Sequence, residues 1–379
     1  MAERHLVLVG GGHSHVEVVR RLGRRPIPGV TVTLVSRGRH TPYSGMLPGY
    51  IAGHYTYDDV HIDLEALTTA AGIHWVNDTV TGMDPGAQTL TRAEGGRLHY
   101  DHASLDIGST PDPGATGAAE HAIAAKPIDR FDTRWRALLE RVRDTRHRHR
   151  IAVVGGGAGG IELILAMHHR LRAERQAAGG DPDTLAFTLF TRGSTVLPTH
   201  NRRVQRRFQR LLADRGITLH TDQSVTNVDA QGLRTAADQH HAADEVIWVT
   251  QARGAPWLAA TGLACDPRGF VRVRDTLQSI SHPSVFAAGD IADMVDHPRA
   301  KAGVIAVRQG PPLAQNLRNA LQGHPLRRYH PQKRWLALLT TGDRRAVASW
   351  GPLSAGGHLL WHWKDRIDRR FMRRYQPTR

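Results

Sequence analysis

The sequence predicts an α/β protein of two nested three-layer folds followed by a small α+β region, and three observations predict it. Two apolar runs each end in a glycine-rich turn and lead into a helix-spaced stretch, the two turns lying about 145 residues apart in a chain of 379. A third, short apolar run far along the chain ends in Gly289-Asp290. Hydrophobic content is 40 % with 38 glycines, a composition suited to many tight strand–turn–helix joints.

In chain order, Leu6-Val7-Leu8-Val9 reads as a buried strand. It runs into Gly10-Gly11-Gly12-His13-Ser14-His15 and then into Val16, Val18, Val19 and Leu22, which have helical spacing. Glycines in such a turn let the backbone approach a pyrophosphate, and the helix N-terminus offers free N–H groups and the positive end of its dipole. A second strand, Val30 to Val35, follows at the distance of a βαβ unit. The turn departs from the usual fingerprint twice. His15 stands where a third glycine lets helix and strand pack closely, and Ser36 stands where a carboxylate usually binds ribose. No carboxylate or further ligand accompanies His13 and His15, so no metal site is expected.

Ile151-Ala152-Val153-Val154 opens the second unit, and Gly155, Gly157 and Gly160 fit the full G-x-G-x-x-G spacing. Its second strand, Phe187 to Phe190, ends at Thr191-Arg192. Arg192 either accepts the 2′-phosphate of NADPH or is a solvated loop residue. The strands Ser104 to Gly108, Asp244 to Thr250 and Ser284 to Ala288 complete the pattern. A first Rossmann-like dinucleotide-binding fold opens, a second is inserted, and the first resumes. The expected domains are 1–112 and 246–325 for the first fold, 113–245 for the inserted one and 326–379 for the C-terminal region.

Composition excludes several functions. Cys265 is the single cysteine, which rules out an intrachain disulfide, a redox-active cysteine pair and a cysteine-rich zinc or iron–sulfur site. No apolar run reaches the roughly 18 residues of a membrane span, and the residues before Leu6 do not fit a secretory signal, so a cytoplasmic protein is expected. The net charge of +15 is spread along the chain. Nucleic-acid binding needs a basic groove with aromatic stacking positions, which the pattern lacks, and is not expected.

The order of units, with these residues, resembles the two-dinucleotide-binding-domain flavoproteins, the pyridine nucleotide-disulfide oxidoreductase-like group, over nearly the whole chain. Within the group it is similar to the type II NADH dehydrogenases and sulfide:quinone oxidoreductases. It most resembles the flavoprotein module fused N-terminally to selenophosphate synthetase. The stretches that carry this are residues 10–15, Thr41-Pro42-Tyr43-Ser44-Gly45-Met46-Leu47-Pro48-Gly49, His61-Ile62-Asp63-Leu64, Asp106-Ile107-Gly108-Ser109-Thr110-Pro111, Val307-Arg308-Gln309-Gly310-Pro311 and Trp363-Lys364-Asp365-Arg366-Ile367-Asp368.

The resemblance implies FAD in the first fold and NADH or NADPH in the second. It assigns Gly10, Gly12, His13, Ser14, Ser36, Arg37, Pro42, Tyr43, Gly108, Gly289 and Asp290 to the FAD site, with the loop from Thr41 to Pro48 along the flavin ring. Gly155, Gly157, Gly160 and Arg192 go to the nicotinamide nucleotide. Two catalytic residues are implied. Glu162 matches a helix glutamate near the nicotinamide, or is an exposed first-turn acid favouring the helix dipole. Lys301 matches a lysine beside the flavin, where a cation stabilises the reduced ring, or is a surface lysine. Lys126 is a further candidate of that kind.

The implied activity is an oxidoreductase taking hydride from NAD(P)H and passing electrons to an acceptor, with quinone one option; the alternative is a non-catalytic or partner-dependent flavoprotein linked to selenium metabolism. Disulfide reduction and sulfide oxidation both need cysteines that Cys265 alone cannot supply. Val304 and Arg308 replace the paired glutamines that the dehydrogenases carry beside quinone, and only Gln309 remains.

In the C-terminal region Trp335–Leu339 and Ala346–Trp350 read as strands, and Leu359–Met372 as a helix on which Leu360, Trp363, Ile367, Phe371 and Arg374 share helical spacing. Such a basic helix either lies in a membrane interface, giving peripheral contact with the inner face of the membrane, or docks on the first fold or on a partner in a homodimer.

Overall fold

A computed structural model describes residues 3–111, 114–126, 128–144, 147–250 and 252–376. The first unit opens with β1 (Arg4–Val9), α1 (His13–Arg24) and β2 (Val30–Ser36). Next come β3 (His40–Pro42), α2 (Leu47–Ile51), α3 (Tyr57–Val60), β4 (His61–Asp63), α4 (Leu64–Ala71) and β5 (His74–Asn77). An antiparallel sheet of β6 (Val80–Asp84), β7 (Thr89–Arg92) and β8 (Arg97–His99) precedes β9 (His102–Leu105) and β10 (Thr110–Pro111).

The second unit contains α5 (Ala118–His121), β11 (Ala122–Ala124), α6 (Ile128–Arg143), β12 (His149–Val154), α7 (Ala158–Ala177), β13 (Leu185–Phe190), α8 (Arg202–Asp214) and β14 (Thr218–His220). A second antiparallel sheet, β15 (Val225–Asp229), β16 (Gly232–Thr235) and β17 (His240–Ala242), leads to β18 (Glu245–Trp248). The chain returns through β19 (Ala252–Arg253), β20 (Val271–Val273), β21 (Val285–Ala287), β22 (Ala292–Met294) and α9 (Gly303–Gln322). It ends in β23 (Ala337–Thr340), β24 (Ala346–Trp350), β25 (Leu353–Gly357) and α10 (His358–Met372).

Two parallel sheets organise the molecule, in the orders β21-β9-β1-β2-β5 and β11-β18-β12-β13-β14. Each has the strand before a glycine turn at its centre. Leu6, Val7, Leu8 and Val9 are all buried, as a strand covered on both faces requires. The first sheet closes with β21, a strand that arrives only after the second sheet is complete, so the fold is the nested α/β arrangement expected. The second sheet includes β18, so its chain runs to Trp248 rather than ending at residue 245.

Helix α1 packs on α9, and the approach is close: a Cβ on Gly310 would lie 2.7 Å from the Cβ of Glu17. Helix α10 contributes Trp361, Phe371 and Met372 to the first unit's core, while Leu339 and Val347 of the C-terminal sheet join the second unit's core. The C-terminal region therefore packs against both units. Its third strand, β25, was not expected from the sequence.

Candidate functional site

The two glycine turns are built on one plan. The Gly10 N–H donates to the Val35 carbonyl and the Gly155 N–H to the Phe190 carbonyl. Gly10 (φ +93°) and Gly155 (φ +134°) both have a backbone that L side chains rarely adopt. A Cβ there would lie 2.4 Å from the Asp106 carbonyl oxygen or 2.5 Å from that of Val249. The positions where a third glycine is expected differ. At Gly160 a Cβ would sit 1.9 Å from the Gly155 carbonyl, so helix and strand pack as the motif demands. At His15 the buried imidazole is accommodated by bonds to the Gly10 carbonyl (2.6 Å) and to Ser104 Oγ (2.9 Å). Burial holds both His13 and His15 down to about 4, so both are neutral at physiological pH.

Asp106, directly after β9, fills the floor of the first turn. Its Oδ2 accepts from the Ser14 N–H (2.8 Å) and the His15 N–H (3.1 Å). A Cβ on Gly12 would lie 2.3 Å from its carboxyl carbon, and one on Gly289 would lie 2.2 Å from Oδ1. Ser14 Oγ donates to the Ala306 carbonyl, tying α1 to α9.

The turn at Gly289-Asp290 closes the cradle. Gly289 N–H donates to Gln309 Oε1 (2.7 Å), so the glutamine retained from the dehydrogenase pattern braces this turn. Asp290 accepts from Lys126 Nζ (2.6 Å) and Ser109 Oγ (3.2 Å). Burial would raise the Asp290 carboxyl, but the charge and hydrogen bond of Lys126, with the Ser109 hydroxyl, hold it below its ordinary value. Lys301 lines the recess beside Gly289, Asp290 and Gln309. Its ammonium donates to the Ala292 carbonyl and lies 4.1 Å from the centre of the Phe270 ring. The cation in contact with Asp290 is thus Lys126.

Ser36 ends β2 with its hydroxyl donating to the Gly38 carbonyl and accepting from Trp75 Nε1 (2.9 Å). Arg37 beside it is exposed, and Gly108 (φ +70°) has open space where a Cβ would stand. Pro42 and Tyr43 follow on the loop along the cradle's mouth. Ser44 N–H donates to His13 Nε2, and Tyr43 stacks on Phe371 with ring centres 4.3 Å apart.

Helix α10 clamps this loop. Lys364 Nζ donates to the Gly45 carbonyl (2.6 Å), Tyr43 OH to Asp368 (3.3 Å) and Tyr55 OH to Asp365 (2.8 Å). Burial beside Asp368 pushes the Tyr43 phenol up. The stripe read from the sequence divides between two faces. Phe371 is buried, whereas Trp363 and Ile367, with Leu359, are exposed. The two acids of this basic helix, Asp365 and Asp368, are among its docking groups.

In the second turn Gly157 caps α7 with open space around it, and Arg192 is exposed at the end of β13. Glu162 is neither exposed nor in the first turn: α7 begins at Ala158, and Glu162 is partly buried, accepting from the N–H (2.7 Å) and hydroxyl (2.9 Å) of Thr340. Burial raises its carboxyl, against the opposing effects of Lys364 and Thr340. Glu162 thus fastens the C-terminal sheet beside the second turn. The sequence reading gave Asp106 no role, although an acid inside the run Ala103 to Ile107 was the available signal.

Paired glycine turns, each at the centre of a parallel sheet, define a two-dinucleotide-fold oxidoreductase scaffold. The family described as pyridine nucleotide-disulphide oxidoreductase matches residues 4–318, and the chain belongs to that family. It is on that footing an oxidoreductase whose cofactors are FAD and a pyridine nucleotide. An NADH dehydrogenase-like protein of Bacillus subtilis is 22 % identical, over 90 % of this chain and 91 % of that one. A type II NADH:quinone oxidoreductase of Staphylococcus saprophyticus is 19 % identical, over 85 % and 84 %. Among solved structures, the sulfide:quinone oxidoreductase of Aquifex aeolicus superposes with a TM-score of 0.81 at 18 % identity, covering 98 % of this chain and 91 % of that chain. NDH2 of Plasmodium falciparum, in complex with NADH, gives 0.79 at 13 %, covering 98 % and 97 %. These superpositions show the shared fold.

Proposed function

We propose that the protein takes hydride from NADH or NADPH at the second turn and delivers electrons, through FAD in the first, to an acceptor of the quinone class. The observation that carries this is the match between the two turns, each a strand, a positive-φ glycine and a helix N-terminus, one of them lined by the Gly289-Asp290 strand end. The cradle fits FAD: Gly10, Gly12 and Gly289 have no side chain and so let β1, α1 and the Gly-Asp turn close around Asp106, which puts the α1 N-terminus at the strand ends where a pyrophosphate binds, and Asp290 presents a charged carboxylate for a ribityl hydroxyl. FAD bound there supplies hydride acceptance and onward electron transfer.

The chain's own residues supply position and charge. Lys126 fixes Asp290, His13 and Tyr43 shape the loop that walls the ring's place, and Lys301 puts a cation behind the Gly-Asp turn. We assign His13, Ser14, Ser36, Arg37, Pro42, Tyr43 and Gly108 to the FAD cradle on the same reading. Gly155, Gly157, Gly160 and Arg192 hold the nicotinamide nucleotide, with Glu162 setting the C-terminal sheet beside it. The domain division follows as 1–112, 113–248, 249–325 and 326–379, the middle boundary placed after β18. The quinone acceptor is supported by the names of relatives on either side of the sulfide and NADH branches; without a second cysteine the sulfide branch is set aside.

The exposed face of α10 and the neighbouring hairpin tip, with Leu359, Trp363, Ile367, Trp350 and Leu353 flanked by Arg366 and Arg370, supports peripheral contact with an anionic membrane. No helix among the described residues is long and apolar enough to cross one. The resemblance of residues 10–15, 41–49 and 363–368 to the selenophosphate synthetase-fused module favours a second reading, service in selenium metabolism.

Anaerobic mixing with each nucleotide tests the donor, with bleaching of the flavin absorbance expected. Reoxidation by quinones against selenium species then separates the two acceptors. Co-sedimentation with anionic vesicles, lost in Leu359→Ser/Trp363→Ser, tests the membrane face; a second copy covering that face would appear instead as a concentration-dependent mass.

A further inference from the structure

We propose that FAD binds this chain together with a proton, taken up by the Asp106 carboxyl. The inference rests on the first turn being the FAD site. Asp106 is 3 % exposed and already accepts from two N–H groups at the α1 N-terminus, the end of the helix that an anion would use. With Gly12 on one side and Gly289 on the other, its carboxyl forms the floor of the cradle. A pyrophosphate brought to the same helix end adds negative charge beside it. Two anions at one buried site cannot both remain charged without strong repulsion, and the carboxyl is the one that can take a proton.

Among the described residues no cation relieves the crowding. From α1 it is faced by His13 and His15, both held neutral by burial. From the Gly-Asp turn it is faced by Asp290, which keeps its charge through Lys126. From α9 come the Ala306 carbonyl, satisfied by Ser14, and the amide of Gln309. Among the described residues no lysine or arginine pairs with Asp106. Burial alone pushes its carboxyl up; the Ser14 and His15 N–H groups oppose this and the Asp290 charge adds to it, leaving it at about 7 before any ligand arrives.

The second turn supplies the control. Val249 occupies the same register, its N–H donating to Val154 as that of Asp106 donates to Val9, and its carbonyl lies against Gly155 as that of Asp106 lies against Gly10. A valine has no proton to exchange, so nicotinamide nucleotide binding should be free of this coupling.

The sign follows from the raised carboxyl. Below its folded pKa Asp106 is already neutral and FAD binding needs no proton. As pH rises through about 7, each binding event must take one proton from solvent, so affinity falls. The test measures FAD dissociation from the loaded protein by ultrafiltration and flavin fluorescence between about pH 6 and about pH 9. Calorimetric re-binding in two buffers of different ionisation heat counts protons. Expected are a fall in affinity approaching about tenfold per pH unit above neutrality and uptake approaching about one proton per FAD. Asp106→Asn should still bind FAD, lose both effects and bind more tightly than the natural chain at the alkaline end. Nicotinamide nucleotide affinity should lack the effect in both proteins.

A flat FAD profile with no proton uptake in the natural chain overturns the inference, as does an Asp106→Asn profile with the slope intact. Should Asp106→Asn fail to fold, the proton count on the natural chain decides alone. Failure of the natural chain to bind FAD at any pH would sink the flavin reading itself, a result distinct from FAD binding without a proton.

Discussion

The first and second glycine turns share a central parallel strand, a positive-φ glycine and a backbone register, yet two of the side chains in which they differ decide how each joint closes. Where the second has Gly160, the first has His15; where the second has Val249, the first has Asp106. In the second turn close packing is achieved by absence of a side chain, the Gly160 position standing within 1.9 Å of the Gly155 carbonyl for any Cβ added there. In the first it is achieved by a polar network, in which His15 bonds Gly10 and Ser104, and Asp106 takes the helix N–H groups. A glycine joint is indifferent to pH and to neighbours. A polar joint is satisfied only in one protonation state and only while every partner stays in place.

The largest effects should come from the shared feature. Gly10→Ala and Gly155→Ala each force a side chain into positive φ and against a carbonyl, a strain of roughly 1–3 kcal/mol before any clash is counted. Gly10→Ala should purify with little or no flavin absorbance. Gly155→Ala should keep its flavin but no longer be bleached by either nucleotide. If Gly155→Ala lost flavin as well, the assignment of one turn to each cofactor would be wrong.

The next effect separates the two kinds of joint. His15→Ala removes a side chain with two buried bonds and leaves the Gly10 carbonyl and the Ser104 hydroxyl without their partner. A loss of about 1–3 kcal/mol is expected, read from the midpoint of denaturant unfolding. Gly160→Ala damages the second joint by overpacking, also about 1–3 kcal/mol, with the defect showing in nucleotide affinity while flavin content holds. Equal sensitivity of flavin retention to both changes would contradict the comparison.

What the sequence disclosed follows the same division. Strands β1, β2, β12 and β13 and both glycine turns were legible because apolar runs and glycines act locally. The closing strand β21 was legible because Gly289-Asp290 ends it. Strand β25 was not, since Leu353-Ser354-Ala355-Gly356-Gly357 has little strand preference of its own and is held by pairing with β24. The sequence left α10 between a membrane interface and docking on the first fold, because which of its side chains dock shows only once Tyr55 and Tyr43 are placed opposite Asp365 and Asp368. Glu162 reads as a first-turn acid until Thr340, nearly 180 residues on, is brought to it. Asp106 escaped for the same reason: its partners are backbone N–H groups of a helix over 90 residues away, which no spacing rule reveals.

The smallest expected effect concerns Arg192, which sharpens the comparison at the far end of the second turn. The side chain is exposed at the end of β13, in the place where a carboxylate would select NADH and a cation NADPH. Its register counterpart in the first unit is Arg37, and the residue before that, Ser36, is engaged with Trp75 and Gly38. An exposed guanidinium meeting a phosphate contributes modestly because solvent and salt screen it. Arg192→Ala should therefore raise the KM for NADPH by about tenfold or less, equivalent to about 1.4 kcal/mol, leaving the NADH value and kcat nearly unchanged. The NADPH effect should shrink as salt rises, because the contact is a screened surface charge. Equal changes for both nucleotides would mean that Arg192 is an ordinary solvated residue and that nucleotide choice is made elsewhere in the turn.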